Sequence, residues 1–126
     1  MDTATKHDAN LILSSRIQGT KVYNANGEDL GHIADLSIEK RSGKVLYGLI
    51  SFGGVLGLGD HIHPVPWTLL NYDVVKGGYV VPISKEKLKE APHYSAEQLE
   101  AFGGRDVSYR DEVFSHYGMY GAIPYW

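Results

Sequence analysis

Two histidines, His61 and His63, stand two positions apart in a segment that predicts a β-strand. Because side chains alternate between the faces of a strand, both imidazoles are expected on one face, where such a pair can begin a transition-metal site. Asp60 is a neighbouring carboxylate that could supply a further ligand. The alternative is that both histidines hydrogen-bond to backbone at the end of a sheet. Since no second His-x-His pair and no cysteine is present, we predict no metal and keep these three residues as weak candidates.

The other arrangements that could support chemistry are weaker still. Glycines at positions 54, 57 and 59 reverse the order of the dinucleotide-binding fingerprint. A strand rather than a helix is predicted to follow them, so the helix N-terminus that would hold a phosphate is missing. Ser51, His63 and Asp60 include the residue types of a hydrolase, but nothing nearby resembles a nucleophile elbow. We therefore predict no catalytic residues, no cofactor and no enzyme activity.

Charge and length restrict the classes of function. The chain has 126 residues, with 12 Lys and Arg against 15 Asp and Glu and a net charge of −3. Proteins that bind phosphate backbones are usually basic, so direct nucleic-acid binding is not expected. No apolar run approaches the ~20 residues that span a bilayer, and the first residues lack the apolar region of a signal peptide. We expect a cytoplasmic protein without a membrane span.

Short strands separated by turns predict an all-β fold, either a barrel or a sandwich. The central strand, residues 45–52, is apolar on both faces and is therefore expected to be covered on both. In the second strand Leu30 and Leu36 share one face while Ile33 falls on the other, which indicates a bulge or a second buried surface. The six predicted strands are residues 17–23, 30–39, 45–52, 60–65, 71–75 and 79–83.

The chain is predicted to fall into three parts. Residues 1–10 are polar and are expected to be disordered, residues 11–92 form the barrel, and residues 93–126 form a C-terminal extension. Ser84 can cap one short helix, and Ser95 begins a capping box that starts a second.

The last 22 residues are unusually aromatic for a C-terminal tail. Disordered tails are normally poor in aromatic residues. This tail is therefore expected to pack, either on its own barrel or on a neighbouring subunit.

A family resemblance rests on the order of four segments rather than on any one of them. They are Leu30-Gly31-x-Ile33-x-Asp35-Leu36-x-Ile38, Ser42-Gly43-x-Val45-x-Tyr47, Ser51-Phe52-Gly53-Gly54-x-Leu56-Gly57-x-Gly59-Asp60 and His63-Pro64-Val65-Pro66-Trp67-x-x-Leu70. Across residues 15–92 the chain resembles the PRC-barrel family. That family includes the cytoplasmic domain of the photosynthetic reaction centre H subunit, the C-terminal domain of the ribosome maturation factor RimM and many short stand-alone proteins.

The resemblance implies a small PRC-type barrel of about six strands, no catalytic residues, and docking onto other macromolecules. The transmembrane helix of the reaction-centre subunit and the N-terminal barrel domain of the ribosome factor have no counterpart in the sequence, so neither specific role transfers. The stand-alone proteins are the better match.

We therefore predict a non-enzymatic docking or scaffold module that associates with itself, as a homodimer or larger, and with an unidentified protein partner. The expected contact residues are Val55, Leu56, Leu58, Trp67, Tyr117, Tyr120, Tyr125 and Trp126. The same residues could instead cover the chain's own sheet. Two alternatives stay open: an accessory factor in ribosome maturation or RNA processing, by family analogy alone, and a metal-binding protein at His61 and His63.

Overall fold

Six β-strands form one mixed sheet in the computed structural model, which describes residues 10–52 and 61–126. The strands are β1 (Lys21–Asn24), β2 (Asp29–Ile38), β3 (Val45–Ser51), β4 (Ile62–Pro66), β5 (Asn71–Asp73) and β6 (Gly78–Val81). Their order across the sheet is β4-β3-β2-β1-β6-β5. All neighbouring pairs are antiparallel except β1 and β6, which are parallel.

The prediction of six strands is confirmed, but closure into a barrel is not seen. Within residues 10–52 and 61–126, no ladder of hydrogen bonds joins the outer strands β4 and β5. The sheet is therefore open between these two strands in the described part of the chain. Asp60 and the apolar loop residues Val55, Leu56 and Leu58 lie outside the described residues.

The bulge indicated by Ile33 is present in β2. The register between β2 and β3 shifts between Ile33 and Asp35, and Ile33 is fully buried. Gly31, earlier in β2, has a φ of 119°, and a Cβ at this position would lie 2.1 Å from the carbonyl oxygen of Ser51. Only glycine fits this close approach of two strands.

Four α-helices accompany the sheet within the described ranges, so the prediction of an all-β fold was too narrow. They are α1 (Ser14–Ile17), α2 (Lys85–Glu90), α3 (Ala96–Ala101) and α4 (Arg110–Tyr117). A strand had been predicted from residue 17, but residue 17 ends α1 and β1 begins only at Lys21. Between them Gly19 takes a φ of 85°, which a strand does not allow, so the chain turns there before it joins the sheet.

The two predicted helix caps are both confirmed. The hydroxyl oxygen of Ser84 accepts a hydrogen bond from the backbone N–H of Lys87 at the start of α2. Ser95 and Gln98 form a complete capping box at the start of α3. The caps satisfy backbone N–H groups that a helix leaves without partners at its N-terminus.

One apolar core joins the sheet to the C-terminal helix. Val22, Leu30, Ile33 and Ile50 of the sheet are fully buried, and Val113 of α4 belongs to the same cluster. The aromatic tail therefore completes the core of its own chain.

Candidate functional site

A cluster of histidines lies where β4 meets the segment before α3. The His63 side chain is 1% exposed, and its Nδ1 has no hydrogen-bond partner among the residues that the structure describes. The ring of His93 lies 5.2 Å from that of His63 and 4.5 Å from that of His61, measured between ring centroids. The Nδ1 of His93 is 3.3 Å from the carbonyl oxygen of Ala91. Three imidazoles are thus brought together, two of which the sequence had paired.

The environment of His63 opposes a positive charge. Burial is the largest cause, and the neighbouring His93, His61 and His116 add to it, so that the pKa of His63 is lowered to about 4. A backbone hydrogen bond at Phe52 acts in the opposite direction but is outweighed. The ring is therefore neutral at pH 7.

No local sequence signal indicated that His93 would join this cluster, because His93 lies 30 positions after His63. An isolated antiparallel bridge brings it there. Ile62 and Tyr94 exchange two backbone hydrogen bonds, each of 2.9 Å, which places His93 beside β4. Such a bridge is a long-range contact that residue spacing alone does not indicate.

The cluster is not arranged as a metal centre in the part of the chain that the structure describes. No three of its His, Asp or Glu residues are placed to hold one ion there. The rings of His61 and His63 both lie against the ring of His93. The geometry shows close packing of three imidazole rings.

A second cluster, made of aromatic rings, holds the tail against β3. Tyr47 is fully buried and donates a hydrogen bond of 2.7 Å from its hydroxyl to Oδ2 of Asp106, which also accepts one from the hydroxyl of Tyr125. Burial, followed by the carboxylate of Asp106, raises the pKa of Tyr47 strongly. The ring of Tyr47 also meets the rings of Tyr109 and Phe114 edge-on, at centroid distances of 5.4 and 5.9 Å. Edge-on packing of this kind favours one fixed arrangement of the tail.

The predicted contact residues that the structure describes do not form one surface. Tyr117 is fully buried in the core of its own chain, so its side chain is not available to a partner, which corrects its assignment as a contact residue. Trp67 is half-buried and packs on Tyr79 at a centroid distance of 5.2 Å. Tyr120 is also half-buried, whereas Tyr125 and Trp126 are exposed.

Besides Val107, which is 60% exposed, two further large apolar side chains of the tail are exposed and had not been predicted as contacts. Met119 is 76% exposed and Ile123 is 79% exposed. With Tyr125 and Trp126 they make up what we call the tail surface. The contact residues of the tail had been predicted from its aromatic content, so Met119 and Ile123 were not included.

A cleft lies between α3 and the sheet. It encloses about 430 Å³, and we call it the α3 cleft. Its lining is mostly aliphatic, with two carboxylates: Ala34, Leu49, Ile62, Ala96 and Leu99, together with Asp35 and Glu100. No residue in this lining is basic. The cleft can accept an apolar group, and its charged residues are both negative.

None of the helices in the described ranges is long and apolar enough to cross a membrane.

Comparison with known proteins identifies a relative of this chain and the family to which it belongs. An uncharacterised protein of Deinococcus radiodurans is 26% identical over 80 residues, which are 64% of this chain and 28% of that protein. The chain thus matches little more than a quarter of its relative's length. The model of the PRC-barrel domain matches residues 9–88, which include all six strands. From this match we conclude that the chain belongs to the PRC-barrel domain family.

Proposed function

We propose that the protein is a non-enzymatic module that docks onto other proteins and onto copies of itself through the tail surface. The observation that carries this proposal is the exposure of Met119 and Ile123 on a tail whose helix α4 contributes to the core. Contiguous exposed apolar patches mark interaction surfaces, and these two side chains lie four positions apart in the tail. Tyr125 and Trp126 add the residue types that dominate binding energy at protein interfaces.

The tail surface is held in place before any partner binds. Trp126 packs against the ring of Phe114 at a centroid distance of 5.2 Å, and the guanidinium of Arg110 lies 4.7 Å from the centre of its ring. Tyr125 is held by its hydrogen bond to Asp106. A surface that is already ordered loses less conformational entropy on binding, so more of its burial energy appears as affinity.

The size of the surface is sufficient for measurable association. Full burial of one large aliphatic or aromatic side chain contributes roughly 1.5–3 kcal/mol. Met119 and Ile123 are largely exposed and can still gain most of this energy in a complex. Their loss should therefore weaken association at least about tenfold, because each ~1.4 kcal/mol is a factor of ten in affinity.

Analytical ultracentrifugation over a concentration series tests self-association. We expect the native protein to form dimers or larger species, and the variant Met119→Ser with Ile123→Ser to shift the equilibrium towards monomer at least about tenfold. Val75→Ser is the matched control, because Val75 is 89% exposed but lies in the turn between β5 and β6. This control should associate like the native protein.

Capture from native extract tests docking onto other proteins with the same three chains. A partner retained by the native and Val75→Ser chains, and lost with the tail variant, would support the proposal. A native chain that stays monomeric and retains no partner would overturn it.

A further inference from the structure

Helix α3 is the least covered helix of the C-terminal part. None of its six residues is buried, and it is fixed by its capping box and by the edge-on contact of Tyr94 with Phe102, 5.6 Å between ring centroids. Leu99, its central aliphatic residue, is half-buried and lines the α3 cleft opposite Leu49 and Ile62 of the sheet. The cleft thus leaves aliphatic surface on both walls that a bound group could still cover.

The charges around this cleft are of one sign. Asp35 comes from β2 and Glu100 from α3, and both residues are exposed. The Oδ1 of Asp35 accepts the N–H of Leu36 at 2.8 Å, which fixes the orientation of the carboxylate. Helix α3 carries a further carboxylate at Glu97 and no basic residue. A ligand that suits this cleft is therefore apolar along its length and positive at one end.

A lysine side chain has this chemistry. Its aliphatic stem covers apolar surface while its ammonium group stays near the rim. The ammonium is a compact charge with three N–H donors, and these donors can be shared between carboxylates that approach from two different elements. A guanidinium, by contrast, is best suited to one carboxylate that it binds through two parallel hydrogen bonds in a plane. A calcium ion is a poor alternative, because it requires six or more oxygen ligands and would lie over an aliphatic floor.

We propose that the α3 cleft receives a lysine side chain of a partner protein, with the stem against Leu49, Ile62 and Leu99 and the ammonium beside Asp35 and Glu100. This inference rests on the proposed docking function and names the partner chemistry at a second surface. The net charge of −3 also favours approach of a positive partner. The cleft, at about 430 Å³, is large enough to admit an adjacent aliphatic side chain as well.

Three blocked tripeptides with a leucine on each side test the proposal by NMR titration of the labelled full chain. The central residue is lysine, norleucine or glutamate, so the aliphatic stem is kept in the second peptide and the charge is reversed in the third. We expect saturable amide shifts around Leu49, Ile62 and Leu99 with the lysine peptide, weaker ones with the norleucine peptide and none with the glutamate peptide. Equal shifts with all three peptides, or no saturable shift with any, would overturn the proposal.

Charge-removing variants separate recognition from a change in folding. Asp35→Asn and Glu100→Gln should each weaken the lysine peptide about two- to fivefold and leave the norleucine peptide unchanged, since exposed ion pairs contribute up to ~1 kcal/mol. Glu97→Gln is the matched control on the same helix, because Glu97 does not line the cleft, and it should bind the lysine peptide like the native chain. Equal weakening of both peptides, or weakening by Glu97→Gln alone, would contradict a specific ammonium site. If the cleft binds no lysine peptide while the tail surface still associates, only this inference fails.

Discussion

His63 is a basic side chain enclosed where its charged form is unfavourable, and this makes stability depend on pH. In the unfolded chain a histidine titrates near its usual pKa of 6.5, whereas in the folded chain the pKa of His63 is about 4. Above pH 6.5 both states are neutral, and the shift has no effect. As the pH falls from 6.5 to 4, the unfolded state binds a proton that the folded state does not, so the free energy of unfolding decreases. The full loss is roughly 3 kcal/mol.

Urea unfolding at pH 7, 6, 5 and 4 measures this contribution (the pH values bracket the two pKa values). Comparison with His63→Leu isolates the contribution of His63 to the pH dependence of stability, because all other titratable groups are present in both chains. The variant should lose less stability than the native chain between pH 6.5 and 4. His32→Gln, at an exposed position in β2, should leave the native pH dependence unchanged. Parallel curves for the native chain and His63→Leu would show that His63 is not the source.

At the level of single residues, the features that could be predicted from the sequence are those that depend on near neighbours in the chain. The two helix caps and the pairing of His61 with His63 depend on neighbours a few positions apart, which the sequence shows directly. The addition of His93 depends on the bridge between Ile62 and Tyr94, and the sequence does not show it. The bulge at Ile33 was indicated because one apolar residue broke an otherwise regular alternation.

Among the elements, α1 was not predicted from the sequence, and neither was the longer helix α4. Its N-cap residue, Tyr109, makes no side-chain capping bond, and the helix has only eight residues, so neither a start signal nor a long period was available. Its helical form is set by tertiary packing, since Val113, Phe114 and Tyr117 are buried in the common core. The sheet was easier to predict, because its strands are apolar and bounded by turn residues such as the Asn26-Gly27 pair.

The packing of α4 predicts that the tail stabilises the whole domain. Tyr117→Ala should lower the free energy of unfolding by about 3–5 kcal/mol, as truncation of a fully buried aromatic side chain does. Met119→Ala, two positions later and 76% exposed, should change it by less than ~0.5 kcal/mol. Chemical denaturation of the two variants measures both effects. A stability like that of the native chain for Tyr117→Ala would mean that α4 is attached to the domain without supporting it.

At the scale of the whole molecule, the buried residues of the tail serve stability, and its exposed residues are available for the proposed binding. The same tail supplies Tyr117 to the core and Met119 to the surface, so the proposed interface and a structural element share one segment. Removal of the segment would disturb both, which is why single exposed substitutions are the sharper test of docking. Association and folding are thereby linked, because a partner that binds only the ordered tail also stabilises the fold.

A single core for sheet and tail also predicts one cooperative unfolding transition. The chain has two tryptophans: Trp67 lies in a 3₁₀ turn after β4, and Trp126 ends the tail. In Trp126→Phe the remaining fluorescence reports on the sheet, and in Trp67→Phe it reports on the tail. Each variant's fluorescence should change at the same urea concentration as its own far-ultraviolet circular dichroism, because two-state unfolding gives coincident transitions for all probes. A tail signal that changes first would instead make the tail a separately unfolding unit, able to leave the sheet and expose Phe114 and Tyr117 to a partner.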